Sequence, residues 1–322
     1  MKSRSPKIKQ FLLHLLKLII VGLAFYFISG QMAKKELNWN LFADLFNTPE
    51  SVVLFAILLI LTFLNRFLEI LKWKNLAQIL KPLSVWESTK QVLIGITFGI
   101  VTPNGIGEYA GKAWFYPRSQ AGKVVFLNAV CNGIQVAFAV FFGLLGTLYV
   151  NMLHQFIPAY YLGLFLGICV MAALFIFYIK DFQIKGFSLQ GLFSSLREIP
   201  RKIHQRNILL ALLRYAVLLH QYFILYTLFQ VNIPYMVLMA VVACIYLLAS
   251  SLPNFQALDF ALKGGIAVYL LGFFGVEGWV VPIVAASIWL LNLVIPVAIG
   301  SIFLLFFNPK KRQSLRSDET VS

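Results

Sequence analysis

The chain has 322 residues, of which 60% are hydrophobic, 15% aromatic and 12% charged, and 27 Lys and Arg against 12 Asp and Glu give a net charge of +15. Its apolar runs are long enough to span a bilayer, so the composition excludes an ordinary water-soluble domain and predicts an all-α polytopic membrane protein. The basic excess sits in loops beside apolar helices, a pattern of membrane topology and of contact with anionic headgroups rather than of nucleic-acid binding.

Residues 1–10 carry Lys2, Arg4, Lys7 and Lys9 and are expected to stay in the cytoplasm, while residues 11–29 cross outward. Ser29, Gly30 and Gln31 make a poor small-residue cleavage site, so this first span is expected to be retained. The loop 30–50, with Lys34 and Lys35 against Glu36, Asp44 and Glu50, fits the outside. Residues 51–71 return to a loop with Lys72, Lys74, Lys81 and Lys90 against Glu87.

Residues 91–118 then place Thr102, Pro103, Asn104, Gly105 and Gly107 in the middle of apolar sequence. Pro103 removes a backbone donor and disfavours helix at Thr102, and the two glycines allow a turn. The apolar arm 91–101, about 16 Å long as a helix, is too short for a core of about 30 Å. A broken or re-entrant helix is predicted, with Glu108 and Lys112 at i, i+4 on one face of the helix that restarts.

Residues 124–150 cross outward, residues 160–179 cross back, and the basic loop 180–206 is expected in the cytoplasm, with a surface or interfacial segment around Pro200. Residues 207–229 go outward. A second broken segment, 235–278, is entered and left from outside. In it Pro253 and Asn254 match Pro103 and Asn104, and with one residue inserted Asp259 and Lys263 follow as Glu108 and Lys112 do in the first. Residues 278–307 cross inward, and the tail 308–322 with Lys310, Lys311, Arg312 and Arg316 closes the chain in the cytoplasm.

The predicted fold is therefore about six full transmembrane helices plus two broken segments. The two halves, 11–150 and 151–307, follow the same order from opposite sides, an inverted repeat offset by about 150 residues. Transport proteins built this way carry their sites between the repeats, at interrupted helices.

Ionisable residues at membrane depth are costly and face protein or water. The candidate substrate-binding residues are Glu108, Lys112, Asp259 and Lys263, with Arg66, Glu69 and Arg214 as further choices. Lys112 would face a phosphate and Glu108 an ammonium or sugar hydroxyl. The competing reading is that each pair only neutralises itself, and that Arg66 and Glu69 snorkel to the interface. His220 fits a hydrogen-bonded packing residue or a headgroup contact; His14, His154 and His204 fit the interface.

No HExxH, GxSxG, P-loop or acidic diphosphate cluster is present, and the cysteines Cys131, Cys169 and Cys244 lack metal-ligand spacing. No catalytic residue, metal or cofactor is called for. The turn from Gly105 to Gly107 could offer N–H groups to a phosphate, though without a preceding strand it is no dinucleotide motif.

At Thr102, Pro103, Gly105, Gly107 and Glu108, and again at Leu252 and Pro253, the chain resembles the membrane domain shared by lysylphosphatidylglycerol synthase/flippase proteins and other integral membrane proteins. The second element departs from the family pattern: Phe255, Gln256, Ala257 and Leu258 replace glycines, and Asp259 replaces a glutamate. The resemblance covers nearly the whole chain. It implies a lipid translocase or lipid-handling protein of the cytoplasmic membrane whose partners are phospholipids or polyprenyl-linked lipids. It does not extend to lysyl transfer, which belongs to a soluble domain in those proteins. The rival readings are a membrane transferase acting on a lipid-linked sugar or amino acid, and a non-catalytic partner of a separate synthase or glycosyltransferase.

Overall fold

The computed structural model describes residues 48–158, 187–251 and 256–307, together with scattered positions between 160 and 184. The predicted spans 11–29 and, for the most part, 160–179 lie outside the described residues, as do Pro253, Asn254 and the tail 308–322.

The described chain is almost wholly helical. The long helix α1 (Pro49–Ala77) is followed by the arm α2 (Val85–Gly99), the short α3 (Gly107–Ala113) and the long α4 (Ala121–His154). A two-residue antiparallel pairing, β1 (Gln183–Ile184) with β2 (Phe187–Ser188), precedes α5 (Leu189–Glu198). Next come α6 (Arg201–Leu228), the arm α7 (Tyr235–Ser250), α8 (Asp259–Gly272) and α9 (Val280–Trp289). A π-helical turn, Leu290–Val294, joins α9 to α10 (Ile295–Phe306). Among the described residues four stretches are long and apolar enough to cross a membrane: α1, α4 with the turn before it, α6, and α9 with α10.

The helix starts are encoded locally. Thr48 caps α1, its side chain accepting from Ser51 N, with Pro49 in the first turn where its missing N–H costs nothing. Ser84 accepts from Glu87 N at 3.1 Å and starts α2 at Val85, six residues before the predicted arm. At its other end α1 runs on through Lys72 and Lys74 to Ala77. Lys72, read from the sequence as a loop residue, is therefore inside the protein with no exposed surface.

The break after α2 is built from its own side chains. Thr102 Oγ1 donates to Gly99 O at 2.9 Å and accepts from Gly107 N at 2.7 Å, closing the turn from both sides. Asn104 and Gly105 take left-handed φ values of 48° and 69°, which glycine adopts at little cost and asparagine more readily than other residues. The chain then doubles back. A Cβ on Gly111 would stand 2.9 Å from Gly95 Cα, so α3 lies directly against α2.

The two arms each pack on the closing helix of the other half, α2 on α10 and α7 on α4, while α1 packs along α6. Three apolar clusters result. One joins the ends of α1, α2, α3, α4 and α10, with Trp73, Phe115, Leu127 and Leu304 at its centre. A second joins α6, α7, α8 and α9 through Tyr226, Val241, Leu270 and Val284. The third, with Ile96, Ile100, Phe260, Trp289 and Val297, lies where the two broken segments meet. Large apolar side chains cover the outside, Phe63 at 70% exposure and Phe306 at 85% among them. That is the surface a helix presents to lipid rather than to water.

Candidate functional site

A cavity of about 400 Å³ opens between the halves. Arg66 and Glu69 come to it from α1, Glu108 from the first residues of α3, Arg214 from the middle of α6, and Asp259 and Lys263 from the start of α8. Six of the seven predicted binding residues thus share one cavity wall. The seventh, Lys112, does not. It is fully buried behind Glu108, bonded to Glu108 Oε1 at 2.5 Å and Asn128 Oδ1 at 2.7 Å, with its ammonium 4.6 Å from the centre of the Trp73 ring.

The two i, i+4 pairs are alike in spacing and unlike in setting. Lys263 Nζ meets Asp259 Oδ2 at 2.5 Å and lies 4.2 Å from the Tyr246 ring centre, but the side chains keep 17% and 34% exposure. The side chains of the Lys112 and Glu108 pair keep 0% and 9%. The first pair faces the cavity, and the second chiefly holds α3 to α4.

Arg66 and Glu69 do not snorkel. The Arg66 guanidinium binds Glu69 Oε2, and Arg214 Nη2 reaches the same oxygen at 3.1 Å. Behind them runs a set of amides that sequence reasoning passed over. Arg214 Nε donates to Asn65 Oδ1 at 2.9 Å. Asn65 Nδ2 donates to Asn292 Oδ1 at 2.6 Å. Asn292 Nδ2 donates to Gln221 Oε1 at 3.2 Å, and Gln221 Nε2 to Thr62 Oγ1 at 2.8 Å. The network ties α1, α6 and the π-turn together.

The π-turn has a cause in the sequence. Pro296 has no N–H to give to the carbonyl four residues earlier, which is that of Asn292, and Arg66 Nη2 donates to that carbonyl instead. Asn292 could have been found from its spacing to Pro296 and from the cost of an amide at this depth, the same argument that singled out the charges.

The two broken segments meet at the cavity through Gln256, which precedes Asp259. A Cβ on Gly105 would fall 2.2 Å from Gln256 Nε2, so the turn of the first segment is filled by a side chain of the second. Further lining comes from Asn132, Gln135, Tyr215, Tyr222 and Trp289. His220, on the exposed side of α6, bonds Ala216 O and Tyr235 Oη and takes no part in the cavity.

Among the described residues no three His, Cys, Asp or Glu side chains gather as a metal site, and Cys131 and Cys244 are buried free thiols. Glu108 and Asp259 are each held by a lysine, so the cavity can hold a charged or hydroxylated group by hydrogen bonds and opposed charges. Comparison with protein families, with characterised proteins and with solved structures finds no match to this chain.

Proposed function

We propose that the chain is a multi-pass protein of the cytoplasmic membrane that moves or handles polar lipids, a flippase-like translocase whose headgroup site is the charged cavity. The observation that carries this reading is a cavity lined by acids, bases and amides, well inside the long helices α1 and α6 and at the starts of α3 and α8, in a bundle whose outer faces are apolar. A lipid needs such a path: its headgroup requires polar partners at bilayer depth, while its chains remain in hydrocarbon.

An inverted repeat is part of the proposal. In its support, α1 to α4 and α6 to α10 follow the same order of long helix, arm, short helix and long helix. Each half also lends its arm to the other half's last helix. The basic residues Lys74, Lys81, Arg118 and Lys123 stand at the helix ends gathered around Trp73 and Phe115, which favours that end, and both termini, as cytoplasmic. The likeness of residues 102–108 to the synthase/flippase membrane domain points the same way.

The test is leaflet exchange of fluorescent phospholipids and of a polyprenyl phosphate lipid in liposomes holding the purified protein. Exchange above that of protein-free liposomes, reduced by Arg214→Gln and Asp259→Asn, is the expected result. Equal exchange with and without protein for every lipid would remove the translocase reading.

A further inference from the structure

The charges around the cavity do not balance evenly. Lys112 has Glu108 and Lys263 has Asp259, each at 2.5 Å. Arg66 and Arg214 share the one carboxylate of Glu69, converging on the same oxygen. One turn beyond Glu69, Lys72 is fully buried, and its ammonium donates to Gln135 Oε1 at 3.2 Å, the amide of a cavity-lining residue. Among the described residues there are thus three cations to one carboxylate around Glu69, a formal excess of two positive charges. Burying an uncompensated charge in a low-dielectric interior is expensive, and a bound anion removes the expense.

The hydrogen-bond account points the same way. Arg66 Nε, Tyr215 Oη and Trp289 Nε1 are buried donors without a partner among the described residues, and all three residues line the cavity. Tyr215 and Trp289 are 2% and 7% exposed, so any partner for them comes through the cavity. A carboxylate offers two oxygens in one plane, whereas a phosphate offers oxygens in several directions, as donors on α1, α6 and α9 require.

We infer that the Arg66 and Arg214 end of the cavity is a phosphate-binding subsite, with Lys72 as a third cation behind Gln135 and Glu69 as the internal anion with which the ligand's phosphate oxygens compete. The inference deepens the lipid-handling reading and rests on it only for the source of the phosphate. Trp289 and Tyr215 supply neutral donors to the same oxygens.

The test uses the full-length protein in detergent, with binding followed by tryptophan fluorescence, since Trp289 lines the cavity. The probes are dihexanoyl phosphatidylglycerol, dihexanoylglycerol, which lacks the phosphate, and sodium phosphate. Saturable binding of the phospholipid and none of the phosphate-free lipid is expected. Arg214→Gln weakens it by about tenfold or more, as loss of a hydrogen bond to a charged group does, and Lys72→Met, which removes a charge one residue behind the ligand, weakens it by a smaller factor. Glu69→Gln, which removes the competing anion, strengthens it, whereas a purely structural Glu69 would weaken it. If Glu69→Gln does not fold, Lys72→Met and Arg214→Gln decide the matter.

Saturable binding of sodium phosphate as tight as that of the phospholipid keeps the subsite and assigns it to free phosphate, against the lipid reading. Phosphate binding without leaflet exchange keeps the subsite and removes translocation. Equal binding of the two lipids, or no effect of Arg214→Gln and Lys72→Met, overturns the inference, and Glu69→Gln weakening in parallel with Arg214→Gln overturns the role given to Glu69.

Discussion

Replacing Glu108 by Gln removes the carboxylate of a pair whose lysine has no exposed surface. Lys112 keeps Asn128 at 2.7 Å and the Trp73 face at 4.6 Å, but neither supplies a negative charge. Breaking a buried pair in this way costs about 3–5 kcal/mol, and the two remaining contacts hold the loss near the lower figure. The matching change in the other half, Asp259→Asn, acts on a pair with 17% and 34% exposure, where about 1 kcal/mol or less is expected. Thermal unfolding in detergent, followed by a thiol-reactive dye that reports release of the buried Cys131 and Cys244, separates the two. By the scaling for large domains, Glu108→Gln should melt roughly 5–10 °C below the native protein, and Asp259→Asn within about 2–3 °C of it. Adding Lys112→Met to Glu108→Gln should recover most of the loss, because no charge is then left behind. Equal melting of the two single variants, or no recovery in the double, would refute the assignment of Lys112 to structure rather than to ligand.

Two further outcomes rest on close contacts. Gly300→Ala sets a Cβ 2.2 Å from Leu93 O and should destabilise by several kcal/mol through separation of α10 from α2; Gly264→Ala meets only Ala285 Cβ at 3.5 Å and should be neutral or slightly stabilising in the same melt. Gly105→Ala combines a φ of 69° with the Gln256 clash, so it should cost about 2 kcal/mol or more, and Gln256→Ala in the same chain should recover the steric part while leaving the roughly 1–2 kcal/mol of backbone strain.

The break at Pro103 was legible because proline, glycine and threonine act on their own backbone, and nothing distant is needed to make that turn. The charges were legible because each is costly at membrane depth, which is why Arg66, Glu69, Glu108, Arg214, Asp259 and Lys263 could be grouped before their positions were known. Two matters depended on how a helix is turned about its axis and where it ends, both of which apolar sequence specifies poorly. Lys112 and Glu108 share a face, yet the close crossing of α3 over α2 turns the lysine toward Trp73 and Asn128. Lys72 continues a helix whose end the sequence marked too early, and so was counted with the loop cations. The amides Asn65, Gln221 and Asn292 were missed for a different reason. Their partners lie more than 70 residues away, and for Asn65 and Gln221 no spacing within one helix announces them; only Asn292 carried a local sign, its distance of four residues from Pro296.

Lipid handling through the cavity requires the cavity to be wet while the outside of the same helices is not. In a variant with the native cysteines replaced by serine, single cysteines at Asn132, which lines the cavity, and at Phe63, on the outer face of α1, can be offered a charged, membrane-impermeant methanethiosulfonate reagent in sealed vesicles. The reagent attacks a thiolate, which forms in water and not in hydrocarbon. Labelling at position 132 from one side of the membrane, protection of that position by a phospholipid, and no labelling at position 63 are predicted; a silent position 132 beside a labelled position 63 would contradict the account.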